Sequence, residues 1–209
     1  MKLFLASANN TLPLLAERLP QRGENTRVLF IANASDRYAG DKWWVAKDKG
    51  AFDRMKACVT ELDLRDVDKV GLKKFLDDTD IVHFTGGSAL YLMSLLKSKD
   101  FGDILSSTVR DSKIIYSGTS AGSMITAKNL QMSAYDDEEI LYAKDVHDFG
   151  ALGLVDFLII PHANSPDFIQ NNKTMLEHLI ENPIPLIFLH DDQAIWVEND
   201  SFQILNTLN

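Results

Sequence analysis

Apolar residues in this chain gather into short runs, separated by longer stretches with a different rhythm. Lys2–Ser7 (KLFLAS), Arg27–Asn33 (RVLFIAN), Ile81–Phe84 (IVHF), Lys113–Tyr116 (KIIY) and Phe157–Ile160 (FLII) read as strands. Several are apolar at every position rather than at alternate ones, as parallel strands covered on both faces must be. The stretches Asp41–Ala57, Ser88–Leu96 and Asp167–Ile180 instead space their apolar residues by about three and four, the period of a helix. Strand and helix alternate, which predicts right-handed crossovers and an α/β fold with a three-layer, mostly parallel sheet. Towards the C-terminus the rhythm changes. Ile187–His190, Ala194–Glu198 and Phe202–Leu205 are separated by short polar turns and predict antiparallel hairpins finishing one edge. No repeat, low-complexity tract or linker interrupts the pattern, so residues 1–209 are expected to form one domain.

Composition narrows the function. Hydrophobic residues make up 45% of the 209 and charged residues 24%, which suits a folded chain and excludes a disordered one. With 21 basic and 30 acidic residues the formal charge is −9, a field that repels phosphate backbones, so no nucleic-acid partner is expected. Cys58 is the single cysteine, which rules out a disulfide framework or a cysteine zinc site, and no metal or cofactor is expected. Between Ala57 and Val59 it reads as a packed small residue. The apolar stretch in MKLFLASANN is too short for a signal peptide, and no run suffices to cross a membrane. The expectation is a soluble, cytoplasmic protein with no membrane partner.

Candidate chemistry centres on Gly118-Thr119-Ser120-Ala121-Gly122, a G-x-S-x-G run that follows strand KIIY and precedes a helix expected over Ser123–Lys128. A serine on a sharp strand-to-helix turn is exposed, and glycines on either side remove β-carbons that would clash there. The amide of Ala121, at the start of the helix, is placed to donate to an oxyanion. The plainer alternative is a serine-rich helix cap. A second turn, Thr85-Gly86-Gly87-Ser88, leaves strand IVHF and enters an apolar helix. Two glycine turns at strand ends of one sheet would face one crevice, which makes Gly87 the second candidate oxyanion donor and Gly86 its partner in the turn.

A serine nucleophile needs a base. Of the five histidines, His178 reads as a surface residue, His83 as a packed one, and His147 and His190 lie near turns. His162 follows Pro161 just beyond the strand FLII, at what is expected to be the same sheet edge as Ser120. The orienting acid is sought in Tyr135-Asp136-Asp137-Glu138-Glu139, between serine and histidine in sequence, with at least two of the four carboxylates simply solvated.

Gly118–Gly122 together with Pro161-His162 resembles the peptidase E (aspartyl dipeptidase) family and its cyanophycinase relatives, and the likeness extends to the Gly86-Gly87 turn and the late hairpin Asp191–Val197. The resemblance implies a class I glutamine amidotransferase-like (flavodoxin-like) α/β fold and a serine peptidase of short peptides, with N-terminal aspartate as the family's preference. Carried over by motif, Ser120 is the nucleophile, His162 the base, and Gly87 and Ala121 the oxyanion donors. Counting from the serine, the acid falls near Asp136–Glu138, with Glu138 first and Asp137 second. The chain departs from the family at Ala163, where an aromatic residue is usual. It also lacks the arginines that often follow the histidine: residues 163–182 hold Lys173 and no arginine. Arg37, in the loop after the second strand, is the substitute cation the sequence offers for an acidic substrate group; its plainer reading is a solvent-facing loop residue.

Three alternatives compete. An α/β-hydrolase esterase shares the elbow, but it would need a longer stretch between serine and histidine and a His-Gly-Gly-Gly segment that is absent. An amidotransferase of related fold would carry cysteine at the elbow. A catalytically silent binding protein is opposed by the intact Ser120 and His162. Trp43 and Trp44 offer an anchor for a homodimer, although one tryptophan in the core is the simpler expectation.

Overall fold

The computed structural model describes residues 1–136, 139, 146–179 and 183–207. Its strands are β1 (Lys2–Ala6), β2 (Arg27–Ile31), β3 (Cys58–Glu61), β4 (Ile81–Phe84), β5 (Ile115–Thr119), β6 (Leu158–Ile160), β7 (Leu186–Phe188), β8 (Gln193–Glu198) and β9 (Ser201–Asn206). Seven of them form a sheet in the order β3-β2-β4-β5-β1-β8-β9. The run from β3 to β1 is parallel, and β8 and β9 pair antiparallel. The period of two along each strand sends neighbouring side chains to opposite faces. Leu3, Leu5, Leu29 and Ile31 enter one core; Phe4, Ala6, Val28 and Phe30 enter the other. This is why β1 and β2 are apolar at nearly every position.

Helices cover both faces. α1 (Leu12–Ala16) and α2 (Trp43–Arg54) bring Leu12, Leu15, Ala51 and Phe52 to the second core. α3 (Lys69–Asp77), α4 (Ala89–Ser98), α5 (Gly102–Arg110) and the short α6 (Ala121–Met124) cover the first with Leu72, Leu76, Leu92, Leu96 and Leu105. Each such side chain contributes about 1.5–3 kcal/mol relative to exposure. α3 and α4 begin at side-chain caps, Asp68 accepting from the Gly71 amide and Ser88 from the Tyr91 amide. The last helix, α7 (Ile169–Leu179), buries Met175 against the first core. Among the described residues no helix is long and apolar enough to cross a membrane.

The three-layer, mostly parallel architecture agrees with the sequence pattern, but several local expectations do not hold. β6 and β7 form a separate parallel pair, so the first of the three C-terminal strands is no part of a hairpin. β5 runs on to Thr119, and the helix after the elbow starts at Ala121 rather than Ser123. Cys58 is exposed on the edge strand β3 instead of packed. Neither tryptophan of the pair enters the core: Trp43 is exposed and Trp44 half-buried.

Candidate active site

The register fixes which residues meet at the carboxyl edge of the sheet. Ile31 pairs with Phe84, Phe84 with Gly118, and Ala6 with Thr119. Because β8 runs antiparallel to β1, with Ala6 opposite Ala194, the start of β8 lies at that same edge. Open α/β sheets bind ligands in the crevice outside these strand ends.

Ser120 stands between β5 and α6 with φ 47° and ψ −113°, a conformation that costs an L-residue energy and persists only where its surroundings enforce it. The enforcement is visible. The Ser120 amide donates to the Ala6 carbonyl (3.0 Å), and Ser123 Oγ donates to the carbonyls of Ala6 (2.8 Å) and Gly118 (2.9 Å). Gly122 packs so tightly on β4 that a β-carbon there would lie 2.1 Å from the Phe84 carbonyl oxygen. The second turn abuts the first: a β-carbon on Gly86 would be 3.3 Å from that of Ser120. Gly87, at φ 145°, passes so close to the loop after β2 that a β-carbon would fall 2.2 Å from the Ala34 carbonyl oxygen. The Ala121 amide opens α6, where no intrahelical acceptor exists for it.

His162 reaches Ser120 from outside the main sheet. The β6–β7 ladder continues past β6, with Leu189 N–H on the Ile160 carbonyl (3.0 Å) and Ala163 N–H on that of Leu189 (3.0 Å). The His162 amide donates to Ser7 Oγ at the end of β1 (2.8 Å). So held, His162 Nε2 lies 3.0 Å from Ser120 Oγ and Nδ1 lies 2.6 Å from Asp191 Oδ1. Ser7 Oγ also reaches Asp191 Oδ1 (3.2 Å), and the Asp191 amide donates to Asn164 Oδ1 (3.0 Å). With Nδ1 protonated, Nε2 is the lone-pair nitrogen that faces the serine hydroxyl. The Phe168 ring stacks on the imidazole with centroids 4.6 Å apart.

The residues to which the sequence points therefore separate. Ser120, His162, Gly86, Gly87 and Ala121 gather at one crevice. Asp137 and Glu138 lie outside the described residues. The other two carboxylates of that run bond elsewhere: Asp136 accepts from Asn171 Nδ2 (2.9 Å), and Glu139 caps the start of α4. There its oxygens accept from Ser88 Oγ and from the amides of Ala89 (2.6 Å) and Leu90 (3.4 Å). Burial pushes the Glu139 carboxyl up to about 7, against these hydrogen bonds. Arg37 is exposed, its guanidinium 5.3 Å from the centre of the Tyr91 ring. The acid against His162 is Asp191, which in the sequence sits inside a polar turn. The signal that would have found it is the hairpin itself, since an antiparallel strand begins where its parallel neighbours end.

A small cavity of about 60 Å³ opens beside Ser120 and His162, walled by Gly87, Glu139, Phe168 and Met175 among others. A larger groove, about 510 Å³, runs along α4 and α5 past Lys97 and Arg110, away from Ser120 and His162. The small cavity is the one joined to candidate chemistry.

The mostly parallel sheet, with a strained serine at a strand end hydrogen-bonded to a histidine, defines a three-layer α/β protein with a crevice at its carboxyl edge. Residues 4–205 match peptidase family S51, and the chain belongs to that family. An uncharacterized peptidase of Pasteurella multocida (strain Pm70) is 28% identical over 200 residues, covering 96% of this chain and 95% of that protein. A protein of Streptomyces coelicolor named peptidase E is 32% identical over 131 residues, 60% of this chain and 51% of that one. Among solved structures, a Listeria monocytogenes EGD-e protein with the provisional name peptidase E superposes with a TM-score of 0.86 at 25% identity, with 98% of both chains covered. A peptidase from an acI-B1 actinobacterium shares the fold, with a TM-score of 0.70 at 18% identity over 98% of this chain and 87% of that one.

Proposed function

We propose that this S51-family chain is a serine peptidase of short peptides, with Ser120 as nucleophile, His162 as general base and acid, and Asp191 as the orienting carboxylate. The observation that carries the reading is the unbroken hydrogen-bonded line from Ser120 Oγ through His162 to Asp191. Ser120 Oγ attacks the scissile carbonyl while its proton passes to His162 Nε2. The carbonyl oxygen, now anionic, is received by the amides of Ala121 and Gly87. The C–N bond then breaks as His162 returns the proton to the leaving amine, which leaves an acyl-enzyme. Water repeats the sequence, His162 taking its proton, and releases the acid. Asp191 fixes the tautomer and stabilises the imidazolium without itself becoming protonated.

Relatives carry the name peptidase E, and the resemblance drawn from the sequence motifs implies short peptides as substrates. A cation is the strongest partner for the side-chain carboxylate of an N-terminal aspartate. Among the described residues walling the cavity there is no lysine or arginine. The substrates proposed are therefore short peptides with no strong requirement for aspartate. The deciding experiment is labelling with a fluorophosphonate and mapping of the adduct. Modification at Ser120 that is lost in His162→Ala fits the reading; a protein that hydrolyses peptides yet never labels there sinks it.

A further inference from the structure

Directly beneath the elbow lies a polar network that the proposed mechanism does not use. Asp48, on α2, is fully buried, as are His83 on β4 and Ser117 and Thr119 on β5. Thr119 Oγ1 donates to Asp48 Oδ2 (2.6 Å), His83 Nε2 lies 3.2 Å from the same oxygen, and His83 Nδ1 lies 2.9 Å from Ser117 Oγ. With the proton on His83 Nε2 every bond has a donor: Ser117 gives to Nδ1, Nε2–H gives to Asp48, and Thr119 gives to Asp48. The imidazole is clamped by Phe30, stacked at 5.4 Å, and Phe52, edge-on at 4.9 Å. The other carboxylate oxygen, Asp48 Oδ1, is buried with no partner among the described residues.

Such an arrangement is an expensive way to stabilise a core. A buried carboxylate loses its hydration, and an apolar residue of similar shape often serves stability as well or better. Its placement offers a different account. Ser117 and Thr119 are two apart on β5 and share the face turned to α2. Thr119 immediately precedes Ser120, so the bond to Asp48 anchors the last regular residue before the strained one. One helical turn before Asp48, Trp44 Nε1 donates to the Gly86 carbonyl (3.1 Å) in the neighbouring glycine turn. Positions 44, 48 and 52 lie on one stripe of α2, and this stripe touches both halves of the crevice.

We infer that Asp48 is a positioning residue: through Thr119, with His83 and Ser117 completing its hydrogen bonds, it fixes the backbone that presents Ser120 to His162. The inference rests on the serine-nucleophile reading above. Displacing a reacting group by about 1 Å can cost about a hundredfold in rate, so the effect belongs in the chemical step and not in substrate binding.

The test compares Thr119→Val, which keeps the β-branched shape and removes the hydroxyl, with Thr119→Ser, which keeps the hydroxyl. Each is assayed for fluorophosphonate labelling rate and for kcat and KM on the best peptide substrate, after a thermal melt shows it folded. Thr119→Val should lose about ten- to a hundredfold in kcat and labelling rate with KM within about threefold, and Thr119→Ser should stay within about threefold of wild type. A Thr119→Val protein that labels at the wild-type rate, or a Thr119→Ser protein that falls as far, overturns the inference. If Thr119→Val does not fold, Thr119→Ala takes its place. It removes the hydroxyl without adding bulk, so the bond to Asp48 is lost and kcat should fall about tenfold at unchanged KM; a wild-type kcat overturns the inference. Failure of the wild type to label at Ser120 is a separate result, which brings down the serine reading itself.

Discussion

Ser120 holds a positive φ that a residue with a β-carbon adopts only under constraint, and the hydrogen bonds of Ser123 and of its own amide supply that constraint. The side chain is not part of the restraint, so removing its hydroxyl should leave the fold intact. Ser120→Ala and His162→Ala are expected to lower turnover by about 10⁴–10⁶ while thermal melting stays within a few degrees of wild type. A tenth of wild-type activity in either variant would refute the assignment. Asp191→Asn should cost about 10⁴ in kcat, because the amide favours the wrong imidazole tautomer. Asp137→Asn and Glu138→Gln should cost little; a loss of orders of magnitude in Glu138→Gln with Asp191→Asn unaffected would move the orienting role to that segment. At this scale the serine and histidine are legible because glycine spacing and strand ends mark them locally. Asp191 is not. Its contact with His162 comes from the reversed direction of β8, which the hairpin pattern signals only once β8 is known to lie beside β1.

Among the elements, α4 begins at a titrating group that is buried. The Glu139 carboxyl caps α4 beside the Gly86-Gly87 turn, and burial raises it from the usual 4.5 to about 7. The folded state thus holds this proton more tightly than the unfolded chain. Its contribution to stability is greatest below about pH 4.5 and declines as pH rises toward 7, by about 3 kcal/mol at most. Glu139→Gln mimics the protonated form, so the stability difference between wild type and variant should drift against wild type from pH 5 to pH 8 in urea melts. A difference that stays constant, or drifts the other way, contradicts a raised Glu139. Element boundaries show where sequence reading fails. The strands β1, β2 and β4 are apolar on both sides and declare themselves, whereas β3 is a mostly exposed edge whose residues CVTE carry no buried run. β6 and β7 are three residues each, too short to reveal that they pair with one another in parallel.

For the molecule as a whole, charge is the property that bears on substrate. The formal charge is −9, and the cavity beside Ser120 is walled by Asp136 and Glu139, with no lysine or arginine among its described residues. An aspartyl side chain entering that cavity would meet Asp136 and the part-protonated carboxyl of Glu139. Two unit charges about 5 Å apart interact by about 3 kcal/mol at an effective dielectric constant of 20, enough to cancel the benefit of any single hydrogen bond made by the side chain. Arg37 is not among the residues that wall the cavity; it is exposed, its guanidinium over the Tyr91 ring. The comparison that isolates the charge is Asp-Leu against Asn-Leu, which are nearly the same shape. On this argument kcat/KM for Asp-Leu should not exceed that for Asn-Leu, and Arg37→Ala should leave the ratio unchanged. Raising the salt concentration should improve KM for Asp-Leu and leave Asn-Leu alone, since screening weakens repulsion over roughly a Debye length. A preference for Asp-Leu of a hundredfold or more would defeat this reading. Abolition of that preference in Arg37→Ala would assign the recognition to Arg37, and its survival would direct the search to Lys173 or to a cation from a second subunit.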